Sequence, residues 1–191
     1  PVAAAKDKPA LPAPTPTDAA LQASVALAAG GTPVALPVHW RIFKSGGSDV
    51  LAESDGPTVS ARLDPGSYDI EAEASRIRVK QTVTVEAGRA SSIILPLNAA
   101  RLSVTAKADK LTSSALPVIA IEPVVNGKAE PQNAFIGRRG AAVQIVPAGS
   151  YTVTVTDGSA RQQKPVTLAA GADTVLDFAL GSGRVELSAG L

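Results

Sequence analysis

One eight-residue pattern occurs twice, and its spacing constrains this chain more than any other feature. Leu63-Asp64-Pro65-Gly66-Ser67-Tyr68-Asp69-Ile70 and Val146-Pro147-Ala148-Gly149-Ser150-Tyr151-Thr152-Val153 both read apolar-x-x-Gly-Ser-Tyr-x-apolar, at an offset of 83 residues. Val83-Thr84-Val85-Glu86-Ala87-Gly88 and Val166-Thr167-Leu168-Ala169-Ala170-Gly171 keep the same offset. Upstream, Leu36-Pro37-Val38 matches Leu116-Pro117-Val118 at an offset of 80, so a three-residue insertion is expected in the middle loop of the second copy. Self-similarity at a fixed period marks a structural unit used more than once.

The register also predicts where copies begin. Leu21-Gln22-Ala23-Ser24-Val25 opens the first, and Ala100-Arg101-Leu102-Ser103-Val104 opens the second. Another 83 residues on lies Gly183-Arg184-Val185-Glu186-Leu187, with the same small-Arg-apolar-polar-apolar order. The expected organisation is an Ala/Pro-rich linker over 1–19, repeats over 20–98 and 99–181, and the first strand of a truncated third repeat over 182–191. The alternative for that tail is a closing strand of the second repeat. The linker assignment rests on Pro9-Ala10-Leu11-Pro12-Ala13-Pro14-Thr15-Pro16, an extended, stiff composition with little to bury. The chain opens at Pro1 with no charged-then-apolar leader, and it reads as a fragment of a longer protein.

Each copy carries about seven short alternating apolar runs separated by turn residues, the pattern of an all-β sandwich. Aromatic residues are only 3% of the chain, so the cores must be aliphatic, and β-branched side chains favour strands. In the second copy Tyr151, Val153 and Val155 share one face, and Asp157-Gly158 supplies a hairpin turn. In the first copy the corresponding turn is Ala74-Ser75. That turn sets Glu73 opposite Arg76, Glu71 opposite Arg78 and Asp69 opposite Lys80, a self-neutralising outer face with Ile70 and Val79 buried together beneath it. Gly66 and Gly149 are expected at positive φ. Tyr68 and Tyr151, the only tyrosines, follow two residues later as corner residues that tie their hydroxyls to nearby backbone.

The motif, the Val-x-Val-x-Ala-Gly strand and the apolar closing strand resemble bacterial immunoglobulin-like repeats, in particular carboxypeptidase regulatory-like (transthyretin-like) and collagen-adhesin B-type domains. The resemblance covers about residues 20–181. It implies two tandem seven-stranded Greek-key (immunoglobulin/transthyretin-like) sandwiches in a periplasmic, cell-surface or secreted protein. Collagen-adhesin B-type domains often carry a Lys-to-Asn or Lys-to-Asp isopeptide bond assisted by an acid. The resemblance makes Lys107, Glu122 and Asp177 the candidates for it; the alternative is three solvated charges.

The inventory of chemical groups is sparse. There is no Cys and one His, so thiolate or imidazole metal clusters have no ligands and a hydrolytic triad of the usual kind has no second base to choose. His39 alternates with Trp40 and therefore faces outward beside Arg41. The net charge of +1 lacks the basic stripe of a nucleic-acid binder, and no apolar run is long enough for a membrane-spanning helix. Gly30-Gly31 and Gly46-Gly47 read as turns, and Arg138-Arg139 as a solvated turn. Phe43 and Phe135 are the candidate exposed contact rings. No cofactor is expected. The functional expectation is a non-enzymatic stalk or spacer whose partners are neighbouring repeats or another protein. A self-associating edge-strand module and an accessory domain beside an enzyme are the alternatives.

Overall fold

The computed structural model describes residues 19–108, 116–138 and 141–180. The linker and third-repeat expectations for 1–18 and 182–191 lie outside the described residues. The alternation of apolar and polar residues becomes strands β1 (Ala19–Ala26), β2 (Val38–Lys44), β3 (Val50–Gly56), β4 (Thr58–Leu63), β5 (Gly66–Ala74), β6 (Ile77–Val85) and β7 (Ser91–Pro96). There follow β8 (Ala99–Ala108), β9 (Val118–Val125), β10 (Lys128–Ala129), β11 (Phe135–Arg138), β12 (Ala141–Pro147), β13 (Gly149–Asp157), β14 (Ala160–Leu168) and β15 (Asp173–Leu180). A single 3-10 turn, Pro131–Asn133, is the only helical element among the described residues.

These strands form four sheets. A three-stranded sheet β4-β1-β7 faces a four-stranded sheet β3-β2-β5-β6, and a three-stranded sheet β12-β8-β15 faces a sheet ordered β9-β13-β14, whose β9 edge carries both β10 and β11. The first and last strands of each sandwich run parallel, β1 with β7 and β8 with β15. Seven strands were expected in each sandwich. The second has eight, because two short strands flanking the 3-10 turn take the place of β3.

The sheet registers fix how the two sandwiches correspond. Leu21 and Leu102 pair with Ser91 and Thr174, Trp40 and Ile119 pair with Ala72 and Val155, and Leu63 corresponds to Val146. The offsets are therefore 81, 79 and 83, and the match of Leu36-Pro37-Val38 to Leu116-Pro117-Val118 is corrected by one residue. Burial gives the reason: Val38, Trp40 and Ile42 face one core, and Pro117, Ile119 and Ile121 face the other. The extra length in the second sandwich is four residues, between β9 and β12, where β10, the 3-10 turn and β11 lie.

Each sandwich has its own core. Trp40, Ile42, Ile70, Leu21 and Leu95 are fully buried in the first, and Phe178, Leu102, Ile119, Ile121 and Val153 in the second. Burial of one such side chain contributes about 1.5–3 kcal/mol. Trp40 satisfies its one polar atom by donating Nε1–H to the Gly56 carbonyl at 3.0 Å.

The sandwiches meet through a very short link. Ala99 belongs to the first core and Ala100 to the second, so consecutive residues of β8 are shared out between them. Asn98 adopts φ +50, its carbonyl accepts Ala148 N–H, and the Ala99 carbonyl accepts Gly171 N–H, each at 2.8 Å. Leu97 and Ala99 donate back to the Ala26 and Leu27 carbonyls, both at 2.8 Å. Ile145, on β12, packs into the first core.

Candidate functional site

Charge is concentrated on the outer face of sheet β3-β2-β5-β6. The β5–β6 register sets Asp69 opposite Thr82, Glu71 opposite Lys80 and Glu73 opposite Arg78. This differs from the expected pairing by two residues, because the turn is Ser75-Arg76, with φ +49 and +67, and not Ala74-Ser75. Two consecutive left-handed residues give the turn twist that suits a hairpin. In the second sandwich the turn also falls one residue later than expected: Asp157 pairs with Ala160, and Gly158-Ser159, with positive φ at Gly158 alone (+56), makes the turn in place of Asp157-Gly158. Ala72 rather than Ile70 lies opposite Val79.

The charges still find one another. Arg78 binds Glu73 at 2.6 Å and reaches Glu71 at 3.6 Å, Lys80 binds Asp69 at 3.0 Å, and Arg41 of β2 binds Glu71 from the other side. Thr82 donates to Asp69 at 2.7 Å. The Thr82 hydroxyl, and after it Lys80, hold the Asp69 carboxyl below its usual range. The hydrogen bond from Arg78 does the same for Glu73, and Glu73 in turn raises Arg78. Arg76 takes no part in this ladder. It leans across to the second sandwich, with its guanidinium 5.0 Å from the Phe135 ring centre and Nη1 3.5 Å from the Ala134 carbonyl oxygen.

At the end of this face His39 is held between two carboxylates of β3. Its Nδ1 is 2.8 Å from Asp55 and its Nε2 is 2.8 Å from Glu53. The Asp55 hydrogen bond leads the influences that raise its pKa above the ordinary histidine value, against a smaller opposing effect of desolvation. Beside it, His39, Asp55, Glu73, Ser75 and Arg76 rim an open depression of about 440 Å³. A second hollow of about 280 Å³ lies at the junction, between Arg76 and the Pro123, Phe135, Pro147 and Tyr151 side chains.

The two tyrosines do the same job in both sandwiches. Tyr68 donates to the Asp64 carbonyl at 2.7 Å, and Tyr151 to the Pro147 carbonyl at 2.8 Å. Burial raises the Tyr151 phenol further from ionisation, the opposite of what a nucleophile needs. Gly149 has φ +156, whereas Gly66 has no positive φ. What both glycines share is a tyrosine ring at ordinary contact distance, 3.7 Å and 3.9 Å from where a Cβ would stand.

Lys107, Glu122 and Asp177 are not brought together in an interior. Lys107 and Asp177 are exposed on the outward face of β12-β8-β15, where Asp177 lies opposite Thr105 and Lys107 opposite Ala179. Glu122 sits opposite Thr152 on the outer side of the other sheet, because its neighbour Ile121 takes the core position. Phe43 and Phe135, expected as exposed rings, are each half-buried under a cation, Lys80 at 5.7 Å and Arg76 at 5.0 Å. Arg138 contributes its backbone to β11 opposite Val118, and Arg139 lies outside the described residues.

Among the described residues no group of three His, Cys, Asp or Glu side chains is placed to hold a metal ion, and no helix is long and apolar enough to cross a membrane. Two features escaped the sequence reading. The clamp of His39 by Glu53 and Asp55 needs the β2–β3 register, which no motif encodes. The junction contacts of Ala28, Ala148 and Gly171 involve small residues whose only sequence signal is the repeated Ala-Gly at 87–88 and 170–171.

No family model matches the chain, and no curated protein matches it. Solved structures do align with it along most of its length. The Bacillus anthracis TIE protein is 13% identical over 86% of this chain, which spans about a third (34%) of that protein, with a TM-score of 0.37. GBS52, the minor pilin of Streptococcus agalactiae, is 11% identical over 90% of this chain and 99% of its own, with a TM-score of 0.35. A candidate adhesin from Bacteroides thetaiotaomicron is 8% identical over 89% of this chain and 93% of its own, with a TM-score of 0.48.

Proposed function

We propose that the chain is a non-enzymatic structural spacer within a larger bacterial envelope or secreted protein. In this reading residues 20–98 and 99–181 are two copies of one transthyretin-like or collagen-adhesin B-type sandwich, 182–191 opens a third, and 1–19 link the array to its neighbour. The observation that carries the reading is the junction. A two-residue link, Leu97-Asn98, is tied to both sandwiches by backbone hydrogen bonds, and Ile145 of the second fills the core of the first. Such ties stabilise the relative placement of neighbouring units in a repeat array. The titratable side chains named at the two hollows are engaged in structure: Tyr151 with backbone, Glu73 with Arg78, His39 with Asp55, and Arg76 with Phe135.

The test is light scattering combined with small-angle X-ray scattering across a range of concentrations. A monomer with one interparticle-free scattering curve and a single orientation of the two sandwiches supports the spacer. A broad distribution of orientations overturns it. A second reading, an assembly module, draws on exposed Val50 and Leu51 on edge strand β3, since unprotected edges recruit further strands. Concentration-dependent dimers or polymers would favour that reading instead.

A further inference from the structure

β3 is an edge strand with no buried residue, and its neighbour in the sheet is β2 alone. Beyond the backbone ladder and the packing of half-buried Ala52 on the first core, it is tied down by Trp40 Nε1–H to the Gly56 carbonyl and by the two contacts of His39. Those two contacts use both ring nitrogens, each at 2.8 Å from a carboxylate oxygen. A neutral imidazole carries one N–H and one lone pair, so it can donate to only one of them and must point its lone pair at the other anion. Both contacts are hydrogen bonds only in the imidazolium form.

The surroundings leave His39 as the cation for this pair. From β3 it faces Glu53 and Asp55, and from β5 it faces Glu73, which Arg78 of β6 already binds. On its own strand Arg41 is occupied by Glu71, and across the depression Arg76 leans toward Phe135. The second sandwich has no counterpart, since Val118 stands in the place of His39 and the short strands β10 and β11 replace β3.

We propose that His39 is a proton-operated clasp that fastens edge strand β3 to β2 when protonated and releases it to local opening when neutral. The raised pKa gives the direction. A group whose folded-state pKa lies above its unfolded value holds its full contribution below about pH 6.5, and loses it as the pH rises through the folded value. Acid fastens the strand; mild alkali loosens it and uncovers the β2 edge.

The experiment is amide hydrogen exchange by NMR on the whole chain between pH 5.5 and 8.5, with rates converted to protection factors to remove the intrinsic pH dependence. Protection of the β3 amides should fall roughly two- to fivefold across the range, the size expected for an exposed ion pair, while β13 and β14 stay constant. The same samples give the His39 titration directly from its ring proton. His39→Gln should hold β3 protection at its high-pH level throughout, and His39→Arg, a permanent cation, should hold it high at pH 8.5. Protection of β3 that does not change with pH, or changes equally in His39→Gln, overturns the proposal. So does a His39 midpoint at or below 6.5. Neither result bears on the spacer reading, which rests on the junction.

Discussion

Gly171 and Gly88 occupy corresponding places in the two sandwiches, and substituting each by alanine separates backbone strain from contact across the junction. Both are left-handed, with φ +80 and +67. An alanine costs about 1–2 kcal/mol for that conformation at either site. Around Gly88 nothing lies within 4 Å of the new methyl, so Gly88→Ala should lose that amount and no more. At Gly171 the new methyl would stand 3.1 Å from the Ala28 Cβ of the other sandwich. Carbon atoms settle at about 3.5–4.0 Å, and overpacking of this kind costs about 1–3 kcal/mol. Gly171→Ala should therefore lose about 2–5 kcal/mol. Urea unfolding followed by far-UV circular dichroism reads both losses, and fluorescence of the only tryptophan, Trp40, isolates the sandwich that Gly171 does not belong to. A shift of the Trp40 transition on Gly171→Ala reports transmission through the junction. Adding Ala28→Gly removes the opposing methyl and should recover about 1 kcal/mol as a coupling energy. Equal losses at the two glycines, or a coupling near zero, would refute the idea that the sandwiches press on each other there.

Tyr151→Phe should cost about 1 kcal/mol in urea unfolding followed by far-UV circular dichroism, which reads both sandwiches, from the lost bond to the Pro147 carbonyl, and Tyr68→Phe should match it through Asp64. Trp40→Ala, at a fully buried site, should cost about 3–5 kcal/mol, read by calorimetry because the fluorophore is gone. Asp69 and Glu73 have folded pKa values below their unfolded ones, so their contribution is complete above about pH 5 and lost as the pH falls through the lower folded values. Thermal midpoints between pH 6 and 2.5 should therefore fall less steeply for Asp69→Asn than for the parent chain. Arg76→Ala should broaden the distribution of inter-sandwich orientations measured by residual dipolar couplings, since it removes the cation over Phe135.

Much of the fold was legible because alternation is a local signal. The faces of β5 and β13 follow from period two, and the repeated Gly-Ser-Tyr locates both corner tyrosines. The hairpin register was misread for a physical reason. Moving the turn from Ala74-Ser75 to Ser75-Arg76 slides the partner strand by two residues, which leaves every side chain on the face it had. Only the identity of the ion pairs changes, and long Arg and Lys side chains reach diagonal partners almost as well as direct ones. Ser-Arg carries no composition signal for two left-handed residues, and Asp157-Gly158 is a better turn pair on paper than the Gly158-Ser159 the chain uses. The misalignment of Leu36-Pro37-Val38 is of another kind. There a three-letter identity competed with core parity, and the placement of Trp40 opposite Ala72 decided it. The His39 clamp was invisible because its three members lie on two strands whose pairing includes a register shift at Ile42 and Phe43.

The parallel pairing of first and last strands bears on how such a chain would carry a pull. In each sandwich the chain enters at the start of one strand and leaves at the far end of its parallel neighbour, β1 beside β7 and β8 beside β15. Force applied through the backbone then draws these neighbours past each other lengthwise. Every rung between them is strained at once, instead of one after another as when a hairpin is unzipped from its open end. The β8–β15 ladder runs over eight residue pairs and β1–β7 over six, so under tension the first sandwich should yield before the second.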